Sequence, residues 1–240
     1  MRPFELETLR LSSFAPLESS ESRVLCSLCN RRRMHYCSEC SIPLLPLDCL
    51  PRVSLPIQVH IIRHIGESPS KSSIIPLRIL APENVSIYTH APVSNQSLPK
   101  FLCSESVLLY PSDDAFEVND INWGEVKNLI VVDSTWSQTK TVLEAIDPES
   151  KIRRVRLSSS YTTRFWRYQT GKPDTCLATV EAIYLLIRDA FEQRTFEIPP
   201  LQSADKFPCH SFDDLLWFYV YQHALVKRKS TSGRLPGNFK

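Results

Sequence analysis

The stretch Asn128-Leu129-Ile130-Val131-Val132-Asp133-Ser134-Thr135-Trp136-Ser137-Gln138-Thr139-Lys140 decides how this chain folds. Five residues with no charge, four of them aliphatic and two β-branched valines, run into an aspartate, which is how a strand buried on both faces reads where it meets solvent. Ser134 and Thr135 are helix N-cap types. The residues Trp136, Val142, Leu143 and Ile146 then approximate one helical face, and Asp147-Pro148 ends it. This strand-loop-helix unit places a carboxylate at the carboxyl end of a strand, where ligands bind in open α/β sheets.

Outward from this unit the same alternation recurs. Ile57–Arg63, Val85–Tyr88, Ser106–Tyr110 and Ile152–Leu157 read as further strands. Helices are expected from about Cys176 to Gln193, with Val180, Ile183, Tyr184, Ile187, Ala190 and Phe191 on one face, and from about Phe212 to Lys229, with Leu215, Phe218, Gln222 and Leu225. Strands interleaved with helices give an α/β domain with a largely parallel sheet over residues 51–226. Before it, residues 1–21 are rich in serine and glutamate and read as a mobile arm or a cap. After it, residues 227–240 form a basic tail with Lys227, Arg228 and Lys229, which either seeks phosphate or merely solubilises.

Residues 22–50 carry Cys26-x2-Cys29 and Cys37-x2-Cys40 and too few aliphatics to bury a core of their own. Two such pairs supply the four thiolates of a tetrahedral zinc site, here a small ribbon whose metal is structural because a full cysteine set leaves no open coordination position. Arg31, Arg32 and Arg33 lie between the pairs and read either as a phosphate-contacting turn or as a solvated basic one. The remaining four of eight cysteines are scattered, the usage of a reducing compartment.

Composition narrows the function classes. Of 240 residues 42% are apolar and 22% charged, an ordinary globular balance, and a net charge of +2 leaves any nucleic-acid contact to local clusters. No run approaches the about 20 apolar residues of a spanning helix, so no membrane role is expected. Glu5, Glu7, Glu18 and Glu21 speak against a secretory leader, which makes nucleus or cytosol the expected location. Five dispersed glycines cannot write a Walker loop or a dinucleotide fingerprint.

Several motifs together resemble the DTW-domain family over most of the chain. Asp133-Ser134-Thr135-Trp136 is similar to its D-x-T-W signature, and Leu109-Tyr110-Pro111, Arg167 and Leu177-Ala178-Thr179-Val180-Glu181-Ala182 resemble its other elements, the last matching L-S-T-x-E-A. His60-Ile61-Ile62-Arg63-His64 with Glu67 and Lys71-Ser72-Ser73 fits the segment after the cysteines, and the run from Phe165 to Thr175 resembles the subgroup that modifies a D-loop uridine. The resemblance implies a SPOUT-like fold with a C-terminal trefoil knot, S-adenosylmethionine (SAM) as donor, and tRNA as partner, with no obligate protein partner. The implied activity is transfer of the 3-amino-3-carboxypropyl group to uridine N3. Three departures stand out: Ser134 replaces a common glycine or alanine, Ala178 replaces the serine, and Ile75-Pro76-Leu77 lacks a histidine seen in many members.

On that resemblance, Asp133, Thr135 and Trp136 are expected to be catalytic, and Leu109, Tyr110, Pro111, Asp133, Ser134, Arg167, Leu177, Thr179 and Glu181 to hold SAM. Asp133 is the candidate base for the imide proton or the counter-charge to the sulfonium. Trp136 reads as a stacking platform or a core residue, Arg167 as a carboxylate or phosphate clamp or a surface residue, and Thr179 and Glu181 as SAM contacts or helix caps. The rival readings are a SPOUT-type RNA methyltransferase and a non-catalytic zinc-ribbon RNA adaptor.

Overall fold

The computed structural model describes residues 4–91, 98–158, 161–166, 173–192 and 212–231. After a short helix α1 (Ala15–Glu18), two antiparallel hairpins come first: β1 (Val24–Leu25) with β2 (Arg32–Arg33), and β3 (Tyr36–Cys37) with β4 (Ile42–Pro43). Six strands then build one sheet: β5 (Gln58–His64), β6 (Val85–His90), β7 (Ser106–Leu109), β8 (Phe116–Glu117), β9 (Asn128–Asp133) and β10 (Arg153–Arg156). Their order is β6-β5-β9-β7-β10-β8, and every adjacent pair is parallel. All five strands expected from the sequence are present, β9 with the expected bounds and the others shifted by one or two residues at their ends.

Alternation along the strands divides the core between two faces, as a sheet with helices on both sides requires. Val59, Ile61, Val107, Leu129, Val131 and Val155 face α2 (Ile75–Leu80), α4 (Thr179–Ile187) and the start of α5 (Trp217–Thr231). Ile62, Leu108 and Ile130 face α3 (Trp136–Ile146), where Val142 is completely buried. Trp136 departs from the expected stripe: at the start of α3 it is 47% exposed. Helix α4 begins three residues later than expected, since Ala178 is extended (φ −67°, ψ 151°), and it passes into a π-helical turn at Arg188–Glu192.

Of the two readings of the N-terminal segment, the arm and the cap, the packing fits the cap. Residues 4–18 are seated on the domain: Phe4 and Leu17 are buried, Phe4 packs on Tyr184, and Phe14 packs on Trp217 and Tyr221. The backbone is tied as well, with Arg10 N–H donating to Asp213, Ser12 N–H to Asp214, and the Trp217 indole to the Ser12 carbonyl. Apolar residues at irregular spacing carry no helical or strand period, so the serine and glutamate between them dominate the reading. Helix α5 runs through Lys227, Arg228 and Lys229, all exposed, to Thr231, so the first residues of the basic tail continue the expected helix. The expected C-terminal knot falls in a region where residues 159–160, 167–172 (Arg167 among them) and 193–211 lie outside the described residues, as do positions 232–240. Among the described residues, no helix is long and apolar enough to cross a membrane.

If the N-terminal segment is part of the core, Leu17→Ala lowers unfolding free energy by about 2–5 kcal/mol in urea titration. An unchanged denaturation midpoint would show that the segment contributes nothing.

Candidate active site and metal centre

Strand β9 enters the sheet between β5 and β7, so its carboxyl end is walled by the loops that follow both neighbours. A cavity of about 950 Å³ opens there, within the size range of small-molecule sites. Leu109, Tyr110, Pro111, Asp133, Ser134, Thr135, Trp136, Leu177 and Thr179, all singled out from the sequence, line it.

Asp133 ends β9 on the face covered by α2 and α4 and is 9% exposed. Ser72, in the loop before α2, donates its hydroxyl to Oδ2 at 3.0 Å, and Thr179, in the first turn of α4, donates to Oδ1 at 2.7 Å. Arg63 stands in register with Asp133 on the neighbouring strand. Burial raises the carboxyl above the ordinary aspartate value, while Thr179, Ser72 and Arg63 pull it back. The result is a carboxylate that is oriented from two sides and is a better proton acceptor than an exposed one. Thr135 is occupied differently, as the N-cap of α3 in a capping box with Gln138, whose Oε1 accepts the Thr135 N–H at 3.2 Å. Ser134 shares a hydroxyl hydrogen bond with Thr139 at 2.9 Å.

In the ribbon the Sγ atoms of Cys26, Cys29, Cys37 and Cys40 all lie within 4.8 Å of one another. Four sulfurs at about 2.3 Å from zinc sit about 3.8 Å apart at tetrahedral edges, so the set fits this ion. Each pair ends in a turn closed by a residue with positive φ, Asn30 (55°) after Cys29 and Ser41 (53°) after Cys40. The Asn30 N–H donates to the Cys26 carbonyl and the Cys26 N–H to the Arg31 carbonyl. The backbone N–H of Cys29 lowers the Cys26 thiol to about 6, whereas burial and the three other thiols push Cys40 up to about 12. Four clustered thiols do not all ionise without a cation among them, and a divalent ion removes that obstacle.

The DTW domain family profile matches residues 34–225. This chain belongs to the DTW-domain family. It is similar to tRNA-uridine aminocarboxypropyltransferase 1 of Mus musculus, at 28% identity over 95% of this chain and 86% of that protein. The protein of the same name from Xenopus tropicalis is 29% identical over 96% of this chain and 89% of its own length, and the Homo sapiens one 28% over 95% and 86%. No solved structure matches it. The matched span begins after Cys29, so the first cysteine pair precedes the part of this DTW protein that the profile covers.

The structure redistributes several expected roles in the DTW protein. Glu181 is corrected as a SAM contact: it is completely buried and absent from the cavity wall, since all its acceptor capacity is taken by protein donors. Trp136 stands at the cavity with its ring centroid 6.4 Å from that of Tyr110. In the ribbon, Arg31 pairs with Glu39 at 3.0 Å and Arg33 approaches the same carboxylate at 3.7 Å, while Arg32, the third of the run, is exposed and has no ion-pair partner among the described residues. Residues that sequence reasoning gave no role include Ser72, Tyr161, Phe165, and the Arg156–Glu117 ion pair at 2.8 Å, all on the cavity wall. Ser72 was visible as part of a motif, but its partner is 61 residues away. Cys176 also lines the cavity, and Cys49 is exposed.

Elemental analysis of the purified DTW protein is expected to return one zinc per chain, and Cys37→Ser is expected to lose the metal and melt at a lower temperature. Stoichiometric zinc with unaltered melting in that variant would refute the four-thiolate site.

Proposed function

We propose that this protein transfers the 3-amino-3-carboxypropyl group of SAM to N3 of a D-loop uridine in tRNA, forming acp3U. The observation that carries the reading is Asp133, a buried carboxylate held by Ser72 and Thr179 on the wall of a cavity large enough for the donor. Relatives of this chain along nearly its whole length bear the name of that activity. The same reading includes a SPOUT-like class for the sheet, a C-terminal knot, and structural zinc in the ribbon.

The chemistry needs three things from the protein. It must turn the Cγ of the methionyl arm, and not the smaller methyl, towards the acceptor, which is a matter of orientation within the pocket. It must receive an extruded pyrimidine, because N3 is engaged or stacked in folded RNA. It must also take the imide proton. Asp133 accepts that proton, N3 bonds to Cγ, the Cγ–S bond breaks, and neutral methylthioadenosine leaves with the electron pair. The hydroxyls of Ser72 and Thr179 hold the carboxylate in place while its charge falls. Arg32 and the Lys227–Lys229 turn of α5 are exposed cations suited to RNA phosphates.

With unmodified tRNA, label from carboxyl-labelled SAM is expected in a nucleoside identified by mass spectrometry as acp3U, and label from methyl-labelled SAM is not; the opposite pattern would establish methylation. Asp133→Asn is expected to lower turnover by about 100-fold or more. Because burial raises the carboxyl in the folded state, its ionised form opposes folding above the unfolded value, and the asparagine variant should melt no lower than wild type. The acid limb of kcat/KM is expected above the normal aspartate range, since activity is lost as pH falls through the raised value.

A further inference from the structure

The sequence motif around Glu181 has a purpose that contact with the donor does not explain. Its carboxylate is completely buried yet fully satisfied: Oε1 accepts from the Arg164 N–H and the Tyr219 hydroxyl, each at 2.7 Å, and Oε2 from the Thr163 hydroxyl at 2.6 Å and the Ala178 N–H at 2.7 Å. Capping α4 needs one of these bonds, that from Ala178. The other three reach out of the helix, to the segment before Phe165 and to α5. Phe165 and Ala178 both form cavity wall. Two residues before Glu181, Thr179 donates to Asp133, and the Val180 N–H donates at 3.3 Å to Ser73, the neighbour of the other Asp133 donor.

We infer that Glu181 is a positioning residue for the proposed transfer: by gathering Thr163, Arg164, Ala178 and Tyr219 it fixes the start of α4, and through Thr179 it fixes the Asp133 carboxylate and the adjoining cavity wall. The inference rests on the SAM-dependent reading above. Residue type follows from the donor count, because four donors need four acceptor sites, which a carboxylate supplies and a carboxamide does not. Glutamine in its place turns an amino group towards two donors. Burial and the neighbouring Glu181 hold the Tyr219 phenol well above its ordinary value, so the link to α5 stays a donor throughout the working range.

The test compares wild type, Glu181→Gln and Tyr219→Phe, the last removing one donor and leaving three. Binding of S-adenosylhomocysteine by calorimetry is expected to weaken about five- to tenfold in Glu181→Gln and less in Tyr219→Phe, on the scale of one hydrogen bond. A second readout separates positioning from mere support. The groups facing Asp133 are the Ser72 and Thr179 hydroxyls and Arg63, all of which lower its affinity for protons, so a loosened Thr179 moves the acid limb of kcat/KM to higher pH. Folded variants with a lower melting temperature but wild-type affinity and pH profile would overturn the proposal. If Glu181→Gln does not fold, Tyr219→Phe decides by the same two readouts. Wild-type protein that neither binds S-adenosylhomocysteine nor turns over would instead refute the functional reading beneath it, and the inference would fall with it.

Discussion

Two hydroxyls meeting one carboxylate hold this molecule's chemistry together. Ser72 reaches Asp133 from the loop that follows β5, and Thr179 reaches it from α4, more than a hundred residues later. A buried carboxylate without donors carries a heavy desolvation cost and neutralises itself by taking up a proton. Two donors and Arg63 in register offset part of that cost, and burial still leaves the carboxyl less acidic than a solvated aspartate. Those three supports come from the strand beside β9, the loop after that strand, and a helix near the end of the domain, so their convergence depends on the whole sheet order.

Around that point the structure is layered. Glu181 lies one shell behind Thr179, Tyr219 joins it to α5, and α5 in turn carries the ribbon and the N-terminal segment. Tyr36 packs edge-on against Phe218, His35 against Tyr221, and the His35 ring bonds the Leu17 carbonyl at 3.1 Å. The cysteine ribbon is thus fastened to the same helix that fastens the cavity wall. The Arg164 guanidinium adds a further tie by donating to the Phe4 carbonyl at 3.1 Å.

Much of this was legible in the sequence where local periodicity is strong. The run from Leu129 to Asp133 is apolar on both faces and ends in a carboxylate, which fixed both a central strand and a site; paired cysteines at short spacing announced a metal cluster. Glu181 misled because a helix-start acid in a family motif reads equally as ligand or cap, and only its four donors, drawn from three separate segments, show that it is neither alone. Trp136 misled in the other direction, counted with a helical face although it is 47% exposed and lines the cavity. The N-terminal residues escaped notice because contacts with Tyr184 and Trp217 span most of the chain and leave no periodic trace.

The position of those first residues also sets an order of assembly. Residues 4–18 are synthesised before every other described part of the protein, yet their seat is made by α4 and α5, near the end of the described chain. During translation Phe4 and Leu17 therefore wait in water until the last helix emerges, a window in which exposed apolar groups invite chaperones or misassociation. Folding of the domain closes only when its earliest segment is captured by its latest one.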